Sequence, residues 1–101
     1  MRMIMRVKLP VEPFNAAVRN GSAPSVMKRI MEEMKAEGAW FSSFDGHRGG
    51  ILIVDVNDAS DIPRLAEPWF LNFDAEVQFH PAITPEDLGR ADLESLGKKW
   101  G

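Results

Sequence analysis

The chain has 101 residues, 45% of them hydrophobic and 27% charged, with a formal net charge of −3 at pH 7. That length supports one domain with its own core, and that charge leaves no basic footprint for nucleic acid or anionic lipid. The absence of cysteine excludes disulfides, iron–sulfur clusters and thiol catalysis.

No apolar run approaches the roughly 18 residues that a membrane-spanning helix requires. The start lacks a long apolar stretch followed by a small-residue cleavage site, so a cytoplasmic location is expected. Met1 to Leu9 reads as the first strand, because Met1, Met3, Met5, Val7 and Leu9 alternate with Arg2, Ile4, Arg6 and Lys8. Successive strand side chains point to opposite faces, so the first set is a core face and the second carries three cations around one isoleucine.

Pro13 to Asn20 reads as a short helix stopped by Gly21. Ser22 and Pro24 then form a helix start, and Val26, Met27, Ile30, Met31 and Met34 recur at helical spacing as core filling, with Gly38 as the stop. Ala39 to Asp45 and Gly50 to Val56 are expected to form a hairpin around the turn Gly46-His47-Arg48-Gly49. Asp58, with Asp61 three residues on, resembles a capping box. The helix it starts presents Ile62, Leu65, Ala66, Trp69 and Phe70 on one face, and Pro68 should kink or restart it. Ala75 to His80 is the fourth strand. Thr84-Pro85-Glu86-Asp87 opens a C-terminal helix bearing Leu88, Leu93, Leu96 and Trp100, weakened by Gly89 and Gly97.

The expected class is therefore α+β: a ferredoxin-like βαββαβ antiparallel sheet with helices on one face and an extra C-terminal helix. The sheet domain spans residues 1–82 and the helical extension residues 83–101. Right-handed crossovers give the strand order four, one, three, two. On the uncovered face this order places Arg2, Ile4, Arg6 and Lys8 beside Ile51, Ile53 and Asp55, and beside Glu76, Gln78 and His80. Strand two contributes either Trp40, Ser42 and Phe44 or Phe41 and Ser43. A plain solvated face has no need of those isoleucines. The projected face is on the order of 350 Å², less than the roughly 800 Å² per partner of a standard interface. A second subunit would therefore draw further contacts from elements such as Leu93, Leu96 and Trp100.

Arg6 with Asp55 and Glu76 is the best polar cluster. Arg6 either holds a ligand carboxylate by paired hydrogen bonds or takes part in a cross-strand or intersubunit ion pair. His80, at the end of the fourth strand, is either a general base or a ring satisfied by Glu76, Gln78 or a backbone carbonyl. His47 falls in the hairpin turn and is expected to be exposed. Trp40 and Trp69 either wall a pocket or simply fill core. Asp45, His47 and His80 lack metal-ligand spacing, so no metal and no cofactor are expected.

The opening run MRMIMRVKL and the later run GILIVDVNDASDIPRLAEPWFLNFDAEVQFHPAITPEDL resemble the dimeric α+β barrel superfamily. More narrowly, the chain is similar to a small uncharacterised bacterial family near the muconolactone isomerase-like and antibiotic-biosynthesis monooxygenase-like members. The resemblance implies two sheets facing across a two-fold axis and a small ligand, often aromatic or a lactone, held between sheet and helices. The chain has no tyrosine and no monooxygenase constellation, so that activity does not carry over. The expectation is a small-ligand-binding homodimer joined through the open sheet face, with Arg6, Trp40, Asp55, Glu76 and His80 as ligand contacts. The alternatives are a cofactor-independent isomerase using His80 with Arg6, and an interaction module without a ligand.

Overall fold

Alternation along the first strand decides the layering. The computed structural model describes residues 1–101. In chain order the elements are β1 (Arg2–Lys8), α1 (Val11–Arg19), α2 (Ala23–Met34), β2 (Gly38–Phe44), β3 (His47–Asp55), α3 (Asp61–Phe73), β4 (Glu76–Pro81), α4 (Pro85–Ala91) and α5 (Leu93–Trp100). The four strands form one antiparallel sheet in the order β2-β3-β1-β4, so β1 and β3 are central, as the strand assignment implied.

Met5 and Val7 of β1 and Leu52 and Val54 of β3 are fully buried. They belong to one core cluster with Ile30 and Met34 of α2 and Leu65, Trp69 and Phe73 of α3. Full burial of such side chains stabilises by roughly 1.5–3 kcal/mol each, so this layer dominates the stability of the fold. The Met-rich stripe of α2 is core, as its spacing indicated. The other sheet face carries no element of this chain.

Several local expectations are corrected. α2 ends at Lys35, which takes the left-handed conformation (φ 48°), rather than at Gly38. Gly38 instead opens β2, because the Trp40 ring lies where a Cβ would project, with Trp40 Cη2 only 2.6 Å from that point. The hairpin turn is the two-residue pair Asp45-Gly46, both at positive φ (52° and 76°), which matches the right-handed twist of the flanking strands. His47, Arg48 and Gly49 are therefore strand residues, and His47 is half-buried rather than an exposed turn residue. α3 runs unbroken through Pro68. Its buried face is Leu65, Ala66, Trp69 and Phe73, while Phe70 lies outside it.

The C-terminal helix is two helices. Asp92 breaks it in the left-handed region (φ 54°), and its carboxylate caps α5 by accepting from the Ser95 N–H and hydroxyl. A side-chain cap at Asp92 competes successfully with helix continuation, whereas Gly89 and Gly97 stay helical. Thr84 and Asp87 form the reciprocal capping box of α4, with bonds of 3.0 and 3.1 Å. At α3 the expected Asp58 cap differs. Asp58 accepts from Ser60 one turn earlier, and Asp61 reaches back to the Asn57 and Asp58 N–H groups.

These bonds hold the carboxyls of Asp61 and Asp87 below the usual aspartate range, chiefly through the backbone N–H of Asn57 and of Thr84 respectively. A folded-state pKa below the unfolded one adds stability that is complete above about pH 4 and disappears as pH falls through the folded value. Carboxyl NMR titration should therefore place both midpoints below that of an unfolded aspartate. Protection of the Thr84 amide should be lost in the same acid range, and a normal midpoint for Asp87 would contradict the capping box.

A second expectation concerns Gly49. A Cβ there would sit 2.3 Å from the Phe44 ring and 2.7 Å from the Val7 carbonyl oxygen. The backbone oxygen belongs to a central strand and cannot swing aside. Gly49→Ala should lower unfolding free energy by about 1–3 kcal/mol in urea titrations, the usual cost of overpacking.

Candidate functional site

Pairing in the sheet assigns every open-face side chain to a row. Gly38, Ile53, Ile4 and His80 form one row across the four strands. Trp40, Ile51, Arg6 and Gln78 form the next, and Ser42, Gly49, Lys8 and Glu76 the third. Strand two therefore turns Trp40, Ser42 and Phe44 outward, settling a phase that the sequence left open. Phe41 faces the helices and lies against Gly50.

Two aromatic rings cover glycines on this face. Trp40 lies over Gly38, and Phe44 lies diagonally over Gly49. The flattened Phe44 ring becomes a platform for Arg6, whose guanidinium carbon stands 4.4 Å from the ring centroid. A missing Cβ at Gly49 thus permits a cation–π contact in the middle of the sheet. No signal in the sequence singled out Phe44 for this role, because its partner is a residue 38 positions earlier in the chain.

The charges sort differently from the expected cluster. Asp55 pairs in register with Arg2, two rows beyond Arg6, and its carboxylate accepts from the Met1 ammonium at 3.3 Å. Glu76 stands 3.9 Å from Lys8, which also reaches Asp45 at 3.4 Å. Arg2 pairs with Glu37 at 3.1 Å. Of the expected Arg6–Asp55–Glu76 cluster, Arg6 and Glu76 share one recess without an ion pair, and Asp55 lies apart. Perimeter charges neutralise one another, while central Arg6 has no carboxylate within ion-pair distance.

Gln78 lies directly opposite Arg6 across the β1–β4 pair. His80, two residues along β4, is exposed and its Nε2 lies 3.3 Å from the Gln78 Oε1. His80 and Gln78 are thus within one row of the free guanidinium. Trp40, 63% exposed, lies in the same row as Arg6 on the far side of Ile51. Trp69, by contrast, is core, with no protein acceptor for its Nε1. His47 is engaged locally, its Nδ1–H donating to the Asp45 carbonyl oxygen at 2.9 Å. The structure has no group of three or more His, Cys, Asp or Glu residues placed to hold a metal.

The open face itself holds only a shallow recess of about 90 Å³, lined by Arg6, Lys8, Asp45, Glu76 and Gln78. Larger hollows lie at the margins. One of about 450 Å³ runs between α1, α2 and the β2 edge, lined by Leu9, Phe14, Met27, Phe41 and Arg48. Another, of about 730 Å³, separates α4 from the start of β1. No helix is long and apolar enough to cross a membrane.

A family model described as a domain of unknown function, DUF3303, matches residues 1–95. The chain belongs to the DUF3303 family. The match runs from β1 through α4 into the first turn of α5, so the C-terminal helices lie largely within the family's shared segment. The chain has no significant match among curated proteins.

The Arg6–Phe44 stack is open to measurement. In a double-mutant cycle, Arg6→Ala and Phe44→Leu should show a coupling energy of about 0.5–1 kcal/mol, the range for an exposed cation–π contact. Additive effects on urea unfolding would show that the stack contributes nothing.

Proposed function

We propose that the chain is the subunit of a small-ligand-binding homodimer, with a ferredoxin-like body whose open sheet face meets that of a second copy, as in dimeric α+β barrels. The order of strands and helices supports the body: a split helix joins β1 to β2, a hairpin joins β2 to β3, and α3 joins β3 to β4. The mixture of Trp40, Ile4, Ile51 and Ile53 with balanced perimeter charges supports coverage of the face. Such a surface is apolar in its middle and ion-paired at its rim, the usual anatomy of an interface.

Arg6 carries the ligand reading. The residue is half-buried, its guanidinium oriented by Phe44 and unpaired with any carboxylate. Covering such a cation without a counter-charge costs several kcal/mol, and two copies would bring two of them under the same cover. A small carboxylate or other anion between the sheets removes that cost through paired, charge-assisted hydrogen bonds. Gln78 and His80 supply further polar contacts to such a ligand, and Trp40 supplies an apolar wall. Glu76 lines the same recess as Arg6 and Gln78 while reaching Lys8, and Asp55 sits apart, engaged by Met1.

Sedimentation equilibrium should give twice the chain mass of 11.3 kDa, and native mass spectrometry should show a retained small acid. Arg6→Ala should keep the dimer while weakening that acid about tenfold or more, the scale of a lost charged hydrogen bond. A stable monomer at micromolar concentration would sink the homodimer. Unchanged ligand retention in Arg6→Ala would sink the role of Arg6.

A further inference from the structure

The last two helices form an arm that packs only loosely on its own chain, α4 lying across a hollow from Met1 and Arg2. No residue of α4 or α5 is buried. Leu93, Leu96 and Trp100 nonetheless recur at helical spacing on one side of α5, and Trp100 is 77% exposed. An eight-residue helix is marginal in water by itself and depends on packing of its apolar side. Both helices carry side-chain caps that define their starts, so the arm has the local signals of a formed element and lacks only a surface to lie on.

The whole-molecule dimensions state the same deficit. The accessible surface is 6885 Å², about 1,200 Å² above the roughly 5,700 Å² expected of a folded monomer of this mass. The radius of gyration is 17.0 Å, against about 13 Å for a compact chain of this length. The excess surface is of the size that one partner contributes to a stable interface, about 800 Å².

We propose that the α4–α5 arm is exchanged between two copies of this chain, with the Leu93, Leu96 and Trp100 side of α5 seated in the partner's slot beside β2. This inference rests on the homodimer reading above and adds to it. The slot is apolar, holds about 450 Å³, and is floored by Leu9, Phe14, Met27 and Phe41. Phe41 faces the helices yet is 56% exposed, so the layer leaves it uncovered. The arm leaves from β4 at one edge of the sheet, and the slot lies at β2, the opposite edge. A two-fold axis parallel to the strands, between two facing sheets, lays each β4 edge against the partner's β2 edge. β4 ends at Pro81, opposite Met3, whereas the slot lies at the Leu9 and Gly49 end of the strands, so the arm must run about 17 Å along them and about 10 Å across to the facing sheet; two helices of 7 and 8 residues, about 20 Å long, cover that span. The exchange is reciprocal, so each arm fills one slot and the contact closes on two copies.

The test compares dissociation constants of the full chain and of a Leu93→Glu, Leu96→Glu, Trp100→Ser variant by sedimentation equilibrium. These side chains are exposed, so the monomer fold, checked by circular dichroism, should persist. The expected result is a dimer for the full chain and a dissociation constant raised at least hundredfold in the variant. An unchanged constant in the variant overturns the exchanged arm and leaves the sheet-to-sheet homodimer standing. A monomeric full chain overturns both. The landing place is tested separately, because the chain has no native cysteine. A Leu96→Cys chain mixed with a Ser42→Cys chain and a flexible bismaleimide should give more mixed covalent dimer than Leu96→Cys mixed with Lys28→Cys. Equal yields overturn the seat beside β2.

Discussion

Period-two alternation in β1 is the constraint from which the rest follows. β1 is a central strand, hydrogen-bonded on both sides to β3 and β4, so its register dictates the facing of every residue beside it. Its Met5 and Val7 side must meet helices, and α2 and α3 are the elements long and apolar enough to do so. A slip by one residue would move the whole apolar set to the other face. The price of that fixed register is a second face on which Ile4, Arg6 and Lys8 are equally committed.

What makes the second face more than a solvated surface is the treatment of its glycines. Glycine in a strand interior leaves no side chain to pack. Here Trp40 and Phe44 fold down over Gly38 and Gly49, and the rings flatten against the sheet. The flattened Phe44 then holds Arg6 by its guanidinium face. Rigid aromatic area and one oriented cation end up side by side in the centre, while ion pairs occupy the edges. The same chain also carries an arm whose caps are complete and whose apolar side is bare. Unfilled apolar surface at the centre of the sheet, at the β2 edge and on α5 belongs to one problem: the chain exposes more than a monomer of its mass needs to.

Much of this was legible in the residues. The strand alternation of Ala75, Val77 and Phe79 against Glu76, Gln78 and His80 is a local pattern and holds in the structure. The Met-rich stripe and the Thr84–Asp87 box are local as well, since both depend on spacing within one or two turns. The turn was harder. Asp45-Gly46 closes the hairpin in two residues, which pulls His47 to Gly49 into β3, because a tight turn at positive φ fits strand twist better than a four-residue loop. The Asp92 break was hidden by two nearby glycines that stay helical.

By itself, the sequence determined the class of fold, the identity of the core face and the set of charges on the open one. Those depend on periodicity and on short-range chemistry, which are properties of neighbours along the chain. Only tertiary structure decided which charges meet. Asp55 went to the Met1 ammonium and Glu76 to Lys8, and Arg6 was left to Phe44. Cross-strand register and the packing of rings over glycines set those partnerships, and both act between residues that lie tens of positions apart.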